Sequence, residues 1–232
     1  MEYIVSIDKQ LLIFLNHTNS PFFDYFFWFF TSIPIWIPLY VTIAYVILKQ
    51  NIRVGLVLVL AIVLTFILTD QISSSIFKNL FERLRPSHEP TLDGLVRIFS
   101  NYRGGPFGFV SGHAANSFGL ATIVSLIIRN KWLTISLLLW AAINSYSRVY
   151  FGVHYPGDVL AGGALGVIVA YLIFWGLDVF RNRSTKLNSW MKYDVAFAEI
   201  YSCNSALLIV YSLLTTSAIL IILSKLILKI EL

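Results

Sequence analysis

The sequence predicts an all-α, polytopic membrane helix bundle with about six transmembrane helices and an N-terminal interfacial helix. Two observations support this fold class. First, 57% of the 232 residues are hydrophobic and only 12% are charged, whereas soluble domains carry about 25% charged residues. Second, long apolar segments alternate with short polar turns, as in helices that cross a lipid bilayer. We expect one membrane-embedded domain over residues 1–232, because no internal repeat is visible.

The N-terminal segment, residues 3–15, has the pattern of a short amphipathic helix. The apolar side chains that share one helical face are Ile4, Ile7, Leu11, Leu12 and Leu15. Asp8 and Lys9 are among the polar residues that interrupt the other faces. The segment is too short and too polar to cross the membrane, so we expect it to lie in the bilayer interface.

Six longer apolar segments follow, and each is expected to span the membrane. They cover residues 22–48, 54–77, 112–128, 132–147, 159–177 and 204–223. Pro34 and Pro38 predict a kink in the first span. Gly162 and Gly166 give the fifth span a small face for close helix packing. The single cysteine, Cys203, excludes an intrachain disulfide, and its apolar surroundings predict a packed thiol.

Basic residues are concentrated in alternate connections between these spans. They are Lys49, Arg53, Arg129, Lys131, Arg181, Arg183, Lys186 and Lys192. The positive-inside rule therefore places these turns in the cytoplasm and the intervening loops outside it. Lys225 and Lys229 oppose this orientation for the last span, whose topology stays open. No basic run with interleaved aromatic residues indicates a nucleic-acid partner.

The first of three polar motifs is KNLFERLRP, which runs from Lys78 to Pro86. Lys78 and Arg85 are seven residues apart, so a continuous helix would place both on one face until Pro86 ends it. Arginine can bind two phosphate oxygens at once, and lysine acts as a mobile point charge. The alternative is two basic side chains that reach from a span end to the interface. Arg83 lies off that face and is expected to be an ordinary surface charge.

The second motif is Ser111, Gly112 and His113, immediately before the third span. Ser111 suits the N-cap of a helix, and Gly112 allows backbone N–H groups to approach an anion at the helix N-terminus. His113 would then lie beside that anion. The alternative is a capping serine followed by an incidental interfacial histidine.

The third motif, SRVYFGVHYPGD, links the fourth and fifth spans. Ser147 and Arg148 end one helix, and His154 and Asp158 lie at the start of the next. Asp158 can accept a hydrogen bond from one nitrogen of His154, which leaves the other nitrogen free to attack phosphorus. The alternative is a turn in which both residues only satisfy backbone groups. Together, the three motifs carry the cations, hydroxyls and imidazoles that suit a membrane-embedded phosphatase.

The set resembles the type 2 phosphatidic acid phosphatase family, whose signature is shared with the vanadium haloperoxidases. The spacing from Lys78 to Arg-Pro matches the first part of that signature, and Ser-Gly-His from Ser111 matches the second. The third part matches in full from Ser147 to Asp158. Val110 stands where the family usually has proline.

This resemblance covers about residues 54–175 and implies a role for each motif residue. His154 would be the nucleophile that forms a phosphohistidine, Asp158 would orient it, and His113 would be the general acid. The residues implied to hold the phosphate are Lys78, Arg85, Ser111, Gly112 and Arg148. The resemblance implies no metal and no cofactor.

The implied substrate is a lipid phosphate that reaches the site within the bilayer of a bacterial inner membrane, at its extracytoplasmic face. Bacterial members act on undecaprenyl diphosphate, phosphatidylglycerol phosphate, phosphatidate or lipid A phosphates, and the sequence selects neither the lipid nor an oligomeric state. A non-hydrolytic phosphate or lipid-phosphate transporter is the alternative, and a haloperoxidase is disfavoured by the spans. Asp70, inside the second span, could support Lys78 or simply be hydrated.

Overall fold

The computed structural model describes residues 2–17, 20–184, 201 and 203–231. Within these ranges it contains α-helices and no strand, which confirms the predicted all-α membrane bundle. The helices are α1 (Glu2–Asn16), α2 (Pro21–Phe30), α3 (Ile37–Leu48), α4 (Ile52–Gln71), α5 (Lys78–Phe81), α6 (Gly112–Ile128), α7 (Lys131–Tyr150), α8 (Pro156–Ser184) and α9 (Cys203–Glu231). A π-helical segment, Ile72–Phe77, joins α4 to α5 without a break.

Three helical stretches in the described ranges are long and apolar enough to cross a membrane: residues 52–81, 156–180 and 203–230. Helices α2 and α3 form a fourth candidate, bent by 67° at a short break. α6 is a shorter apolar helix, and it and α7 occupy the third and fourth expected spans.

The break between α2 and α3 is the kink that the prolines predicted. Pro34 lies in a 3₁₀ turn, Ile33–Trp36, and Pro38 lies in the first turn of α3. The indole N–H of Trp36 donates a hydrogen bond of 2.6 Å to the carbonyl oxygen of Phe30. A buried side chain therefore satisfies a carbonyl group at the end of α2, as required inside a membrane.

Helix α6 forms the centre of the bundle, in contact with α4, α7 and α8. Its buried side chains include Ala121, Val124 and Ile127, which belong to the main hydrophobic core. Helix α8 approaches α6 closely because Gly162 and Gly166 lack side chains. A Cβ atom at these positions would overlap the carbonyl oxygens of Ser111 and Ala115, respectively. The predicted small-residue packing face is thus confirmed.

The outer surfaces of α4, α8 and α9 expose large apolar side chains such as Leu60, Trp175 and Ile222. Exposing such apolar surfaces to lipid costs little free energy, whereas exposing them to water is unfavourable. Cys203 is exposed, so the prediction of a packed thiol is wrong. It is the first residue of α9, and its side chain is turned away from the core that Tyr201 and Ala206 join.

Helix α1 packs against the loops that hold the polar motifs. Leu12 is fully buried in a small cluster with Leu92, Val149 and Tyr155. Other apolar side chains of α1 are exposed: Tyr3, Ile7, Leu11 and Phe14. The prediction that Ile7 and Leu11 share one face with Leu12 is therefore wrong, because only Leu12 of these three is turned toward the protein. This division agrees with the predicted interfacial helix, which has one face on the protein and one available to the bilayer.

The helices carry the motifs to one end of the bundle and the basic turns to the other. α4 and α5 run from the turn at Lys49 and Arg53 to the first motif, and α6 runs from the second motif to the turn at Arg129. Lys186 and Lys192, from the third basic connection, lie outside the described residues.

Candidate active site

The first motif is not a continuous helix, and the prediction that Lys78 and Arg85 share a helical face is wrong. Helix α5 ends at Phe81, and Glu82 adopts a left-handed conformation with φ of 45°. The chain then turns away and pairs with a later loop through a bridge between Leu84 and Phe107. This pairing brings Arg85 back to the same cavity that Lys78 lines.

Arg85 is fixed in this loop by backbone groups that are distant in sequence. Its own N–H donates to the carbonyl oxygen of Pro106 at 2.9 Å, and its Nε donates to the carbonyl oxygen of Phe107 at 3.1 Å. Burial lowers the pKa of Arg85 from its ordinary value, while Tyr102 and Asp158 oppose that shift. The guanidinium is thus a held charge with N–H groups directed at the cavity.

The second motif caps the central helix. The hydroxyl oxygen of Ser111 accepts a hydrogen bond of 3.5 Å from the N–H of Ala114, and the N–H of Ser111 donates to the carbonyl oxygen of Asp158 at 2.9 Å. Gly112 and His113 line the cavity, whereas Ser111 is fully buried behind it. The predicted contact of Ser111 with phosphate stays a prediction.

His154 lies in the turn between α7 and α8, with its side chain almost completely buried. Its Nε2 is 3.1 Å from an N–H nitrogen of Arg85, and its Nδ1 is 3.6 Å from Oδ2 of Asp158. A guanidinium can only donate, so Nε2 must accept and the ring proton of a neutral His154 must be on Nδ1. Nε2 therefore carries a lone pair, which accepts from Arg85 in this structure.

The protonation state of His154 supports the same conclusion. Burial lowers the pKa of His154 from 6.5 to about 4, although the neighbouring carboxylate of Asp158 opposes this shift. Arg85 and Arg148 lower the pKa further through their positive charges. The imidazole is consequently neutral at neutral pH, as a nucleophile must be.

Two cations at the cavity lack a carboxylate partner within the described residues. Arg148 is only 3% exposed, and its Nε donates to the hydroxyl oxygen of Ser147 at 3.2 Å. The rest of its guanidinium faces the rings of Tyr102 and Phe151. Lys78 forms no ion pair with any carboxylate that the structure describes. Buried positive charge without a counter-ion is costly, so this end of the cavity requires an anion.

The cavity has a volume of about 630 Å³ and two distinct ends. The polar end is lined by Lys78, Arg85, Gly112, His113, Arg148 and His154. The other end is lined by apolar side chains of the α2–α3 break, α3 and α4, which include Ile33, Trp36, Ile43, Ala44, Val59, Ile62, Val63 and Phe66.

Between the two ends lies a small group of polar side chains that the motifs did not predict. Asn116 and Asn144 line the cavity together with Asp70. The amide of Asn116 donates to the carboxylate of Asp70 at 3.5 Å. Asp70 forms no ion pair with Lys78, so the proposed support of that lysine is not a direct contact. In the described part of the chain, no three His, Cys, Asp or Glu side chains are arranged to hold a metal.

Arg83, which lies behind the cavity, is a further residue that the sequence interpretation missed. It was expected to be a surface charge, yet it donates to Oδ1 of Asp158 at 2.7 Å and to Oδ2 of Asp8 at 2.7 Å. Asp158 is completely buried and also accepts from the N–H of Tyr155 at 3.1 Å. Both contacts of Arg83 join residues 75 positions apart in sequence, so no local pattern reveals them.

A membrane helix bundle with a buried arginine and a half-buried lysine that lack carboxylate partners among the described residues, beside a neutral, lone-pair-bearing histidine, is the arrangement of a phosphoryl-transfer enzyme. Residues 54–182 match the family model of the PAP2 superfamily. Because this match covers more than half of the chain, the chain belongs to that superfamily.

Named relatives agree with this assignment. The chain is 46% identical to the lipid A 4′-phosphatase of Bacteroides thetaiotaomicron over 177 residues, which is 75% of this chain and 79% of that protein. It is 37% identical to the lipid A 4′-phosphatase of Porphyromonas gingivalis over 175 residues, which is 75% of this chain and 74% of that protein.

A solved structure shares the fold. The phosphatidylglycerolphosphate phosphatase of Bacillus subtilis superposes with a TM-score of 0.58 at 21% identity, over 82% of this chain and 90% of that one. The predicted family and enzyme class are confirmed: the chain is a bacterial integral-membrane lipid phosphatase.

Proposed function

We propose that this phosphatase hydrolyses the 4′-phosphate of lipid A, or of a lipid A precursor, through a phosphohistidine at His154. The observation that carries the phosphatase chemistry is the set of three cations that line the cavity, the half-buried Lys78 and Arg85 and the buried Arg148, around an imidazole whose Nε2 accepts from Arg85. The two lipid A 4′-phosphatases described above support the choice of lipid.

In the proposed first step, the phosphate oxygens contact the three cations and the N-terminus of α6 at Gly112. The lone pair of Nε2 of His154 forms a bond to phosphorus while the bond from phosphorus to the sugar oxygen breaks. The bound phosphate offsets the charge of the surrounding cations, so that His113 is protonated in the complex and gives its proton to that leaving oxygen. Asp158 stabilises the positive charge that develops on the ring of His154.

In the second step, water attacks phosphorus and the bond from phosphorus to Nε2 breaks. His113, now neutral, accepts a proton from that water, so both histidines return to their initial states. No metal ion is part of this proposal, because three fixed cations neutralise the charge that a metal would otherwise neutralise.

The apolar end of the cavity supports a lipid substrate. Side chains of α3 and α4 line that end directly beside the charged end. An acyl chain could thus be placed among apolar residues while its phosphorylated head group contacts the cations.

The site is proposed to face the extracytoplasmic side of the inner membrane. The basic turns at Lys49, Arg53, Arg129 and Lys131 lie at the opposite end of the bundle, and such turns are usually cytoplasmic. Single cysteines at Asp93 and Lys131, which are both exposed, should label differently in a Cys203→Ser background. An impermeant thiol reagent added to cells with a permeabilised outer membrane should label position 93 alone. Labelling of position 131 alone would invert this orientation.

The substrate proposal is tested with purified protein in detergent and four lipids: bisphosphorylated lipid A, undecaprenyl diphosphate, phosphatidylglycerol phosphate and phosphatidate. We expect the highest kcat/KM for lipid A, with a product that keeps its 1-phosphate by mass spectrometry. A higher kcat/KM on undecaprenyl diphosphate would reassign the substrate. Phosphate uptake into proteoliposomes without phosphate release from any lipid would instead support the transporter alternative.

A further inference from the structure

Arg83 connects the N-terminal helix to the buried carboxylate of the third motif. One of its terminal nitrogens contacts Oδ1 of Asp158 and the other contacts Oδ2 of Asp8, both at 2.7 Å. The other oxygen of Asp8, Oδ1, accepts from the N–H of Gly157 at 2.8 Å. The guanidinium also lies 4.0 Å from the centroid of the Tyr155 ring. Arg83 is therefore held on three sides and has little freedom to leave Asp158.

The ion pair with Arg83 is important for Asp158 because of the position of this carboxylate. Its side chain is completely buried, and Arg83 is the one cation within ion-pair distance among the described residues. Oδ1 is occupied by Arg83, whereas Oδ2 accepts from the N–H of Tyr155 and faces Nδ1 of His154. Removing Arg83 would leave a buried carboxylate free to rotate and short of positive charge.

We propose that Asp8 and Arg83 are positioning residues for the reaction, acting through Asp158 on the ring of His154. The four side chains form a continuous series in which α1 fixes Arg83, Arg83 fixes Asp158 and Asp158 fixes the imidazole. The proposal rests on the proposed role of His154 as nucleophile. It assigns a catalytic purpose to an N-terminal helix that lies outside the segment matched to the superfamily.

The rest of α1 is built to keep Asp8 in place. Leu12, one helical turn further on, is fully buried against the loops of the site. Lys9 forms a second tether, with its Nζ 3.4 Å from a carboxylate oxygen of Glu89 and 2.8 Å from the hydroxyl of Thr91. These contacts of Lys9 also hold α1, but they do not involve Arg83 or Asp158. A substitution of Lys9 is therefore a matched control for a substitution of Asp8.

Purified Arg83→Gln should retain KM within about twofold and lose about 100-fold in kcat, and Asp8→Asn should lose about 10-fold, within the range typical of groups that orient a ligand. Arg83→Lys should recover part of the loss because it restores one charged contact. The double variant should be no slower than Arg83→Gln, because both changes interrupt the same series. Lys9→Met should retain normal kcat, because the buried Leu12 still holds α1 and Asp8 in place.

The pH profile separates positioning from a general structural defect. The charged and titratable groups that face His154 are Arg85, Arg148, His113 and Asp158, and all four remain in these variants. Loss of the positive charge of Arg83 should therefore raise the pKa of His154. The acidic limb of the kcat/KM profile should then move to higher pH. Loss of the negative charge of Asp8 should move the same limb to lower pH. A structural defect predicts no such opposite displacement.

Thermal unfolding in detergent accompanies each assay. Normal kcat in Arg83→Gln, or a loss in Lys9→Met equal to that in Asp8→Asn, would overturn the proposal. So would acidic limbs that move in the same direction, or a kcat loss that only follows a loss of folded protein. A wild-type enzyme that hydrolyses lipid phosphate without trapping phosphate on His154 would refute the proposed chemistry instead, which distinguishes the two failures.

Discussion

The two ends of the cavity differ in how their side chains are held. At the polar end, Arg85 is fixed by carbonyl groups of a distant loop, and Asp158 is fixed by Arg83 and a backbone N–H. At the apolar end, side chains such as Val63 and Ile33 are partly exposed at the surface of the bundle.

This difference indicates that the two ends of the cavity have different roles in the reaction. Phosphoryl transfer depends on charges placed accurately around phosphorus, so small displacements at the polar end should lower kcat. Acyl chains are flexible and their contacts are non-directional, so changes at the apolar end should alter KM and chain-length preference. Variants at each end test this division.

The largest effect is expected at the nucleophile. His154→Ala should abolish the covalent intermediate and lower kcat by at least about 10⁴-fold, because the other imidazole at the polar end, His113, is assigned to proton transfer and has no carboxylate beside it among the described residues. Acid-quench trapping of ³²P-labelled enzyme measures the intermediate directly. Persistence of the phosphoenzyme in this variant would refute the assignment of His154.

A smaller and more selective effect is expected at His113. His113→Ala should slow hydrolysis of a sugar or alkyl phosphate by about 10²–10⁴-fold, the usual contribution of a general acid. A nitrophenyl phosphate should be affected much less during phosphoenzyme formation, because nitrophenolate leaves without a proton. Single-turnover rates on both substrates provide the comparison, and equal defects would argue against His113 as the acid.

The polar end was also the part that sequence could predict best. The three motifs identified Lys78, Arg85, His113, Arg148 and His154, and all five line one cavity in the structure. Such residues are recognisable because the spacing within each motif is short. Hydrophobic runs likewise predicted the helices, since long apolar segments leave few alternatives in a membrane.

Contacts between distant segments could not be predicted. The continuous helix expected from Lys78 to Pro86 fails at Glu82, where pairing of Leu84 with Phe107 turns the chain. Arg83 lay on the wrong face of that imagined helix, and its partner Asp8 is 75 residues away in sequence. No periodicity encodes such a pairing; tertiary packing decides it.

Asp70 lies between the two ends and should affect substrate choice. Its carboxylate can accept hydrogen bonds from hydroxyl or amide groups of a sugar head group, which a prenyl diphosphate lacks next to its phosphates. Asp70→Leu should therefore lower kcat/KM for lipid A about 10-fold, corresponding to one hydrogen bond to a charged group, with little change for undecaprenyl diphosphate. Equal losses on both substrates, measured in the same detergent, would indicate a structural role.

The smallest effect is expected at the apolar end. Val63 lines the cavity on α4, and Ile67, one turn along the same helix, is exposed and lies outside the cavity. Val63→Trp should fill part of the volume available to a long chain and raise its KM by about 3- to 10-fold, with kcat unchanged. Ile67→Trp adds a similar ring against lipid and should leave KM unaltered. A short-chain analogue should bind equally well to both variants because it does not reach this end. A fall in kcat in Val63→Trp, with KM unchanged for every chain length, would show that the two ends are not separable.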